Sequence, residues 1–208
     1  MPKKVNIDVQ RQMIATAAIG VIDQSGLEKT RLRDVARAGN MTTGTVTHYF
    51  DGKDAVLEAA LEEVVRRTLD RIDTGSASAL ATNGNIAAFV KQICCYLPVD
   101  ETNQKEWRVW LAFWGRAIAD ERLRRIHHDY YQGFVDRLAG HMLPFEKVAS
   151  KQKTRKCADA VIAALDGVGT RATLEPDEWT PKRQRETLTS LLMPMLTEFA
   201  KKGSNAKS

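Results

Sequence analysis

Four threonines within six residues, Thr42, Thr43, Thr45 and Thr47, run into His48 and Tyr49, and these are the side chains whose types and spacing most directly suggest chemistry. Their hydroxyls donate and accept, their methyls offer small apolar contacts, and Gly44 keeps the backbone between them thin. Such a set suits the major groove of duplex DNA, where donors, acceptors and thymine methyls alternate along the base edges. Bond-breaking chemistry finds less support. His127-His128-Asp129 has the residue types of a metal or acid–base site, but neighbours on a helix point in different directions. No nucleophile, base and orienting group stand at a workable spacing, so an α-helical enzyme using His127 or His141 is the weakest reading, and the sequence implies no metal or cofactor. Cys94-Cys95 is not a CxxC pair and reads as packing, with Cys157 left over. Arg122, Arg124 and Arg125 read as a solvated face.

The threonines need a helix to present them and a second helix to hold that one. Leu32, Val35 and Ala36 repeat at helical spacing before Gly39, and Val46, Tyr49 and Phe50 do so after it, which predicts short helices over 31–38 and 43–49. Gly39 is expected to supply the permissive backbone of the bend, and Thr42 or Thr43 the N-cap. A helix over 8–24 precedes them, with Ile14, Ala17, Ala18, Val21 and Ile22 as its stripe and Gly26 as its stop. Lys3, Lys4 and Arg11 before the apolar run 13–22 superficially resemble a signal peptide, but the stripe is helical and no small-residue cleavage site follows. Asp51 can cap a fourth helix over 53–72, whose buried stripe is Val56, Leu57, Ala60, Leu61, Val64, Val65 and Leu69.

Beyond this, 74–85 is rich in Gly, Ser, Thr and Asn and reads as a loop near a domain seam. Helices are then expected over 86–97, ended by Pro98; 105–119; 121–143, ended by Pro144; 151–174; and 181–202. The basic segment 1–6 and the tail 203–208 are expected to be disordered ends. With 208 residues, 43% of them hydrophobic, and no alternating strand pattern, the chain reads as an all-α protein of about nine helices. A net charge of +5 favours an anionic partner, three cysteines argue against a disulfide framework, and no apolar run approaches the roughly 20 residues of a membrane span. The expectation is a cytoplasmic protein with no membrane partner.

The segment 43–50, TGTVTHYF, followed by Asp51-Gly52-Lys53-Asp54, resembles the helix-turn-helix of the TetR family of bacterial regulators, above all its BetI-type branch. Many members carry Tyr where Thr47 stands and His where Tyr49 stands. The resemblance implies an N-terminal DNA-binding domain, 1–52, and a C-terminal effector-binding and dimerisation domain, 53–208. It further implies a homodimer on a palindromic operator, released by a small molecule. The residue types themselves put Arg31, Arg33, Thr42, Thr43, Gly44, Thr45, Thr47, His48, Tyr49 and Lys53 at the DNA. An architectural DNA-binding protein without an effector is the alternative.

Two features of the second half bear on that expectation. Trp107, Trp110 and Trp114 recur at three and four residues, within an aromatic run that opens at Phe89 and closes at Phe134; packing explains the periodicity, and an effector cavity is the sharper reading. The expected lining is Phe89, Ile93, Trp107, Trp110, Phe113, Trp114, Tyr130, Phe134 and Leu165, and aromatic faces admit a choline-like cation, which the BetI-type resemblance also suggests. Small residues along 151–174 and an apolar stripe along 181–202 suggest a helix pair that meets a second copy through Ala160, Ala164, Gly167, Leu188, Leu192, Met195 and Phe199. Two readers would then stand about 34–36 Å apart, one turn of DNA. Pro194 is expected to kink or end the last helix, or to leave it one hydrogen bond short.

Overall fold

The computed structural model describes residues 7–80, 85–142 and 150–202, and every regular element among them is helical. In chain order these are α1 (Ile7–Lys29), α2 (Leu32–Ala38), α3 (Thr43–Tyr49), α4 (Gly52–Leu80), α5 (Ile86–Ile93), a 3-10 turn (Cys94–Tyr96), α6 (Glu101–Ala117), α7 (Glu121–Met142), α8 (Lys151–Leu174) and α9 (Pro181–Lys202). The segments 1–6 and 203–208, the end of the helix expected at 143–144 and part of the expected loop, 81–84, lie outside the described residues.

The chain forms two compact units. The first comprises Met1–Arg67 with Lys105–Leu123, and the second Thr68–Gln104 with Arg124–Ser208. Packing therefore divides the molecule elsewhere than at 52/53. The first half of α4 buries Val56, Leu57, Ala60, Leu61 and Val64, and its charged side chains pair with α1 and α6: Glu63 accepts from Gln12, and Arg67 reaches Thr16 and Glu106.

In the first unit, α1 packs on α2 and α3, with Ile14, Ala18, Ile22, Val35, Val46 and Phe50 buried. Gly26 breaks α1 with φ 76° and ψ 164°, but the chain turns helical again to Lys29, and Thr30 closes the turn by donating to the Gly26 carbonyl at 2.8 Å. The bend between α2 and α3 is made otherwise than expected. Gly39 is an ordinary residue with φ −86°, and Asn40 is the one in the left-handed region, at φ 52°. Glycine is favoured at 39 by space: a Cβ there would lie 3.3 Å from the Ala17 Cβ and would displace the tip of Met41.

Helix α4 runs eight residues beyond 72, through most of the segment read as a loop. Ser, Ala and Leu there are tolerable helix formers, and Gly75 costs about 1 kcal/mol, which a helix this long absorbs. In the second unit, α9 packs on α8, α5 and the 3-10 turn. Helix α5 gives way to that turn at Cys94, short of the expected 97, because Leu97 must be extended before Pro98, with φ −67° and ψ 156°. Helix α6 starts four residues earlier than expected, since Asp100 accepts from the Asn103 amide at 2.9 Å as a cap. The Asn103 side chain donates to the carbonyls of Cys95 and Leu97, binding the turn to the helix. Helix α9 passes through Pro194 without interruption; Pro194 and Ser190, whose carbonyl loses its intrahelical partner, are both exposed, so the bond that proline removes is lost where solvent can reach it.

Candidate nucleic-acid interface

Helix α3 is seven residues long, too short to hold its shape alone, so its neighbours must fix it. At its start, the Thr42 hydroxyl accepts from the Thr45 amide at 3.0 Å and shares a second hydrogen bond with the Thr45 hydroxyl at 2.9 Å. At its end, the Arg11 guanidinium of α1 donates to the Tyr49 carbonyl at 2.6 Å and lies 4.3 Å from the Phe50 ring centroid. Val46 is fully buried beneath, fixing the helix rotation. In the sequence Arg11 stood out only as a basic residue ahead of the apolar run 13–22, because its partner is 38 residues away.

This rotation exposes Thr43, Gly44, Thr47 and His48 together on one surface, with Thr45 and Tyr49 half-buried at its edge. Thr42 is exposed as well, but its hydroxyl is engaged as the cap. The Thr47 hydroxyl donates back to the Thr43 and Gly44 carbonyls, both at 3.2 Å, while the His48 and Tyr49 rings meet edge to face at 5.0 Å. Arg31 and Arg33 are exposed at the start of α2, and Arg37, not singled out in the sequence, is 79% exposed and lies 3.8 Å from Asp34. Lys53 is half-buried and donates to the Glu28 carbonyl at 2.8 Å, tying the end of α1 to the start of α4.

Helices α1, α4 and α6 of the same unit carry an ionic network. Glu63 is 6% exposed and receives Arg66 at 2.8 Å and Arg67 at 2.7 Å. Burial alone would push its carboxyl up, but the hydrogen bonds from Arg66, Arg67 and Gln12 hold it below the usual range. Arg108 of α6 pairs with Asp23 of α1, and Arg116 and Arg122 reach Asp54 and Glu58 of α4 at 3.2 and 2.8 Å. The arginine read as part of a solvated face is thus one of the braces of the first unit.

The expected effector lining is shared between the units. Trp107, Trp110 and Phe113 are buried in the first, where Trp114 also lies; Phe89, Ile93 and Phe134 are buried in the second, with Tyr130 and Leu165 half-buried there. Of the expected dimer residues, Ala160 and Gly167 are exposed, and Ala164, Met195 and Phe199 are half-buried. Leu188 and Leu192 are fully buried where α9 packs on α5 and α8, so they are core residues of their own unit, whereas Leu191 is 50% exposed. No group of three or more potential metal ligands occurs among the described residues, and no helix there is long and apolar enough to cross a membrane.

A short helix braced from behind, capped by Thr42 and exposing small polar residues, defines a helix-turn-helix reader of duplex DNA. The comparisons agree with that class. Residues 14–60 match the family described as bacterial regulatory proteins, tetR family, and residues 87–197 match the BetI-type transcriptional repressor C-terminal domain. A relative from Paraburkholderia phymatum, HTH-type transcriptional regulator BetI, is 30% identical over 183 residues, covering 88% of this chain and 90% of that protein. A transcriptional regulator from Rhodococcus sp. RHA1 shares the fold with a TM-score of 0.75 at 24% identity, over 90% of this chain and 96% of that one. Another from Saccharomonospora viridis, solved in complex with choline, does so at 0.69 and 20% identity, over 89% and 96%. The chain belongs to the TetR family of transcriptional regulators, in its BetI-type branch.

Proposed function

We propose that this regulator is a repressor that binds a palindromic operator as a homodimer and leaves it when a small organic cation binds the second unit. The observation that carries the DNA half is the exposed face of α3, where Thr43, Gly44, Thr47 and His48 are the groove-entering residues. Arg31, Arg33 and Lys53 supply phosphate contacts, and Thr45 and Tyr49 flank the base edges. Lys53 makes its contact from a position already fixed by Glu28. Ala160, Gly167 and Leu191, exposed on α8 and α9, support a face for the second copy. The choline complex of the S. viridis protein supports an organic cation as the class of effector.

Because α4 is one continuous helix from Gly52 to Leu80, an effector that favours one setting of its distal half also biases the reader. DNA and effector then oppose each other reciprocally, by typically 1–3 kcal/mol. The test is footprinting of the full-length protein on the DNA flanking its own gene, followed by titration with choline. A protected palindrome released by choline supports the reading. Protection that persists through a screen of organic cations would instead favour an architectural protein without an effector, and no protected palindrome would argue against repression.

A further inference from the structure

Several acidic side chains in the second unit are matched with bases. Asp73 meets Arg137 and His141, Asp136 meets Arg155, and Glu175 meets Arg171. Asp166, midway along α8 and half-buried in the same unit, meets no base among the described residues. Its single hydrogen bond among the described residues comes from the Tyr131 hydroxyl of α7, at 2.7 Å to Oδ2. Tyr131 in turn stacks on His127, with centroids 4.3 Å apart, and meets Phe134 edge-on at 5.9 Å. His127, Tyr131 and Phe134 stand at four- and three-residue intervals, so one face of α7 carries all three rings, with Tyr131 at their centre reaching the carboxylate.

We propose that Asp166, with the Tyr131, His127 and Phe134 rings, is the subsite that holds the positive charge of a small quaternary ammonium effector. This assignment rests on the reading above that the effector is an organic cation. Tyr131 orients one carboxylate oxygen and leaves Oδ1 for the ligand, and the rings offer the negative faces that attract a methylated ammonium group. The surroundings favour a charge supplied from outside. Burial raises the Asp166 carboxyl to about 6, with the Tyr131 hydrogen bond pulling it only part of the way back. Burial, with His128 beside it, lowers His127, so at neutral pH that ring is an uncharged face and no rival to the ligand.

Calorimetric titration of the full-length protein tests the assignment, using choline, tetramethylammonium and 3,3-dimethylbutan-1-ol, the uncharged carbon analogue of choline. The expected result is binding of both cations and roughly tenfold or more weaker binding of the alcohol, tenfold being the loss of about 1.4 kcal/mol. Asp166→Asn should weaken both cations by roughly tenfold or more and leave the alcohol unchanged. Tyr131→Phe, which keeps the carboxylate but frees its orientation, should weaken the cations by a smaller factor. Circular dichroism and retained operator binding show that each variant is folded, and Tyr131→Phe keeps the test open if Asp166→Asn does not fold. Wild-type protein that binds neither cation overturns both this subsite and the cationic effector. Cation binding unchanged in Asp166→Asn overturns the subsite alone.

Discussion

Glu63 in the first unit is buried and Asp166 in the second half-buried, and the surroundings of the two carboxylates are opposite. Glu63 is clamped by Arg66, Arg67 and Gln12, which hold its acidity below the ordinary range; Asp166 has one tyrosine hydroxyl and is pushed up to about 6. The first is a brace, complete without any other molecule. The second is a charge kept at some cost to stability, as the proposed cation subsite requires. The contrast matches the work of each unit, since a DNA reader must be stiff before it meets its target while an effector site must be incomplete until its ligand arrives.

Removing the brace should have the largest effect. Glu63→Ala leaves Arg66 and Arg67 without their shared carboxylate, and since both guanidiniums are partly exposed, the loss should be about 2–3 kcal/mol, read as a lower urea midpoint with the slope unchanged. The same group sets an acid limb. Its folded value lies below 4.5, so its contribution is present above 4.5 and is lost as pH falls through that lowered value; Glu63→Gln should flatten this limb in a pH series of thermal melts.

Asp166→Asn should act in the other direction. A folded value of about 6 against 3.8 means that the group's contribution is fully present below 3.8 and is lost as pH rises through 6. The variant should therefore melt higher than wild type at pH 8, by about 1–2 kcal/mol after solvent screening, and equal it below 3.8. Equal melting at both pH values would erase the distinction between the two carboxylates. A smaller effect belongs to the turn: Asn40→Ala should cost about 1 kcal/mol because its φ is 52°, whereas Asn40→Gly should be nearly neutral in the same melts.

Much of the reader was legible because its signals are local. The ends of α3, α8 and α9 fall where the caps, Pro181 and the periodic apolar residues place them. Gly39 drew attention as a flexible residue, but the neighbours that exclude a side chain there, Met41 and Ala17, become visible only after α1 folds against the turn. Leu188 and Leu192 looked like surface for a partner because an amphipathic stripe does not say which neighbour covers it, and α5 lies about a hundred residues earlier. Asp166 carried no signal at all: a single acid between Leu165 and Gly167 becomes unusual only when Tyr131 arrives from 35 residues away and, among the described residues, no base does.

Thr47 carries a consequence for the operator. Its only proton is turned back to the Thr43 and Gly44 carbonyls, so if this face enters the groove as proposed, a duplex meets its methyl group and an oxygen lone pair. Recognition at that step then depends on shape, with a 5-methyl pyrimidine fitting against the side chain. Thr47→Val should keep most operator affinity where Thr47→Ser loses more, and replacing the matching thymine by deoxyuridine in a synthetic operator should weaken wild-type and valine proteins alike while leaving the serine protein nearly indifferent.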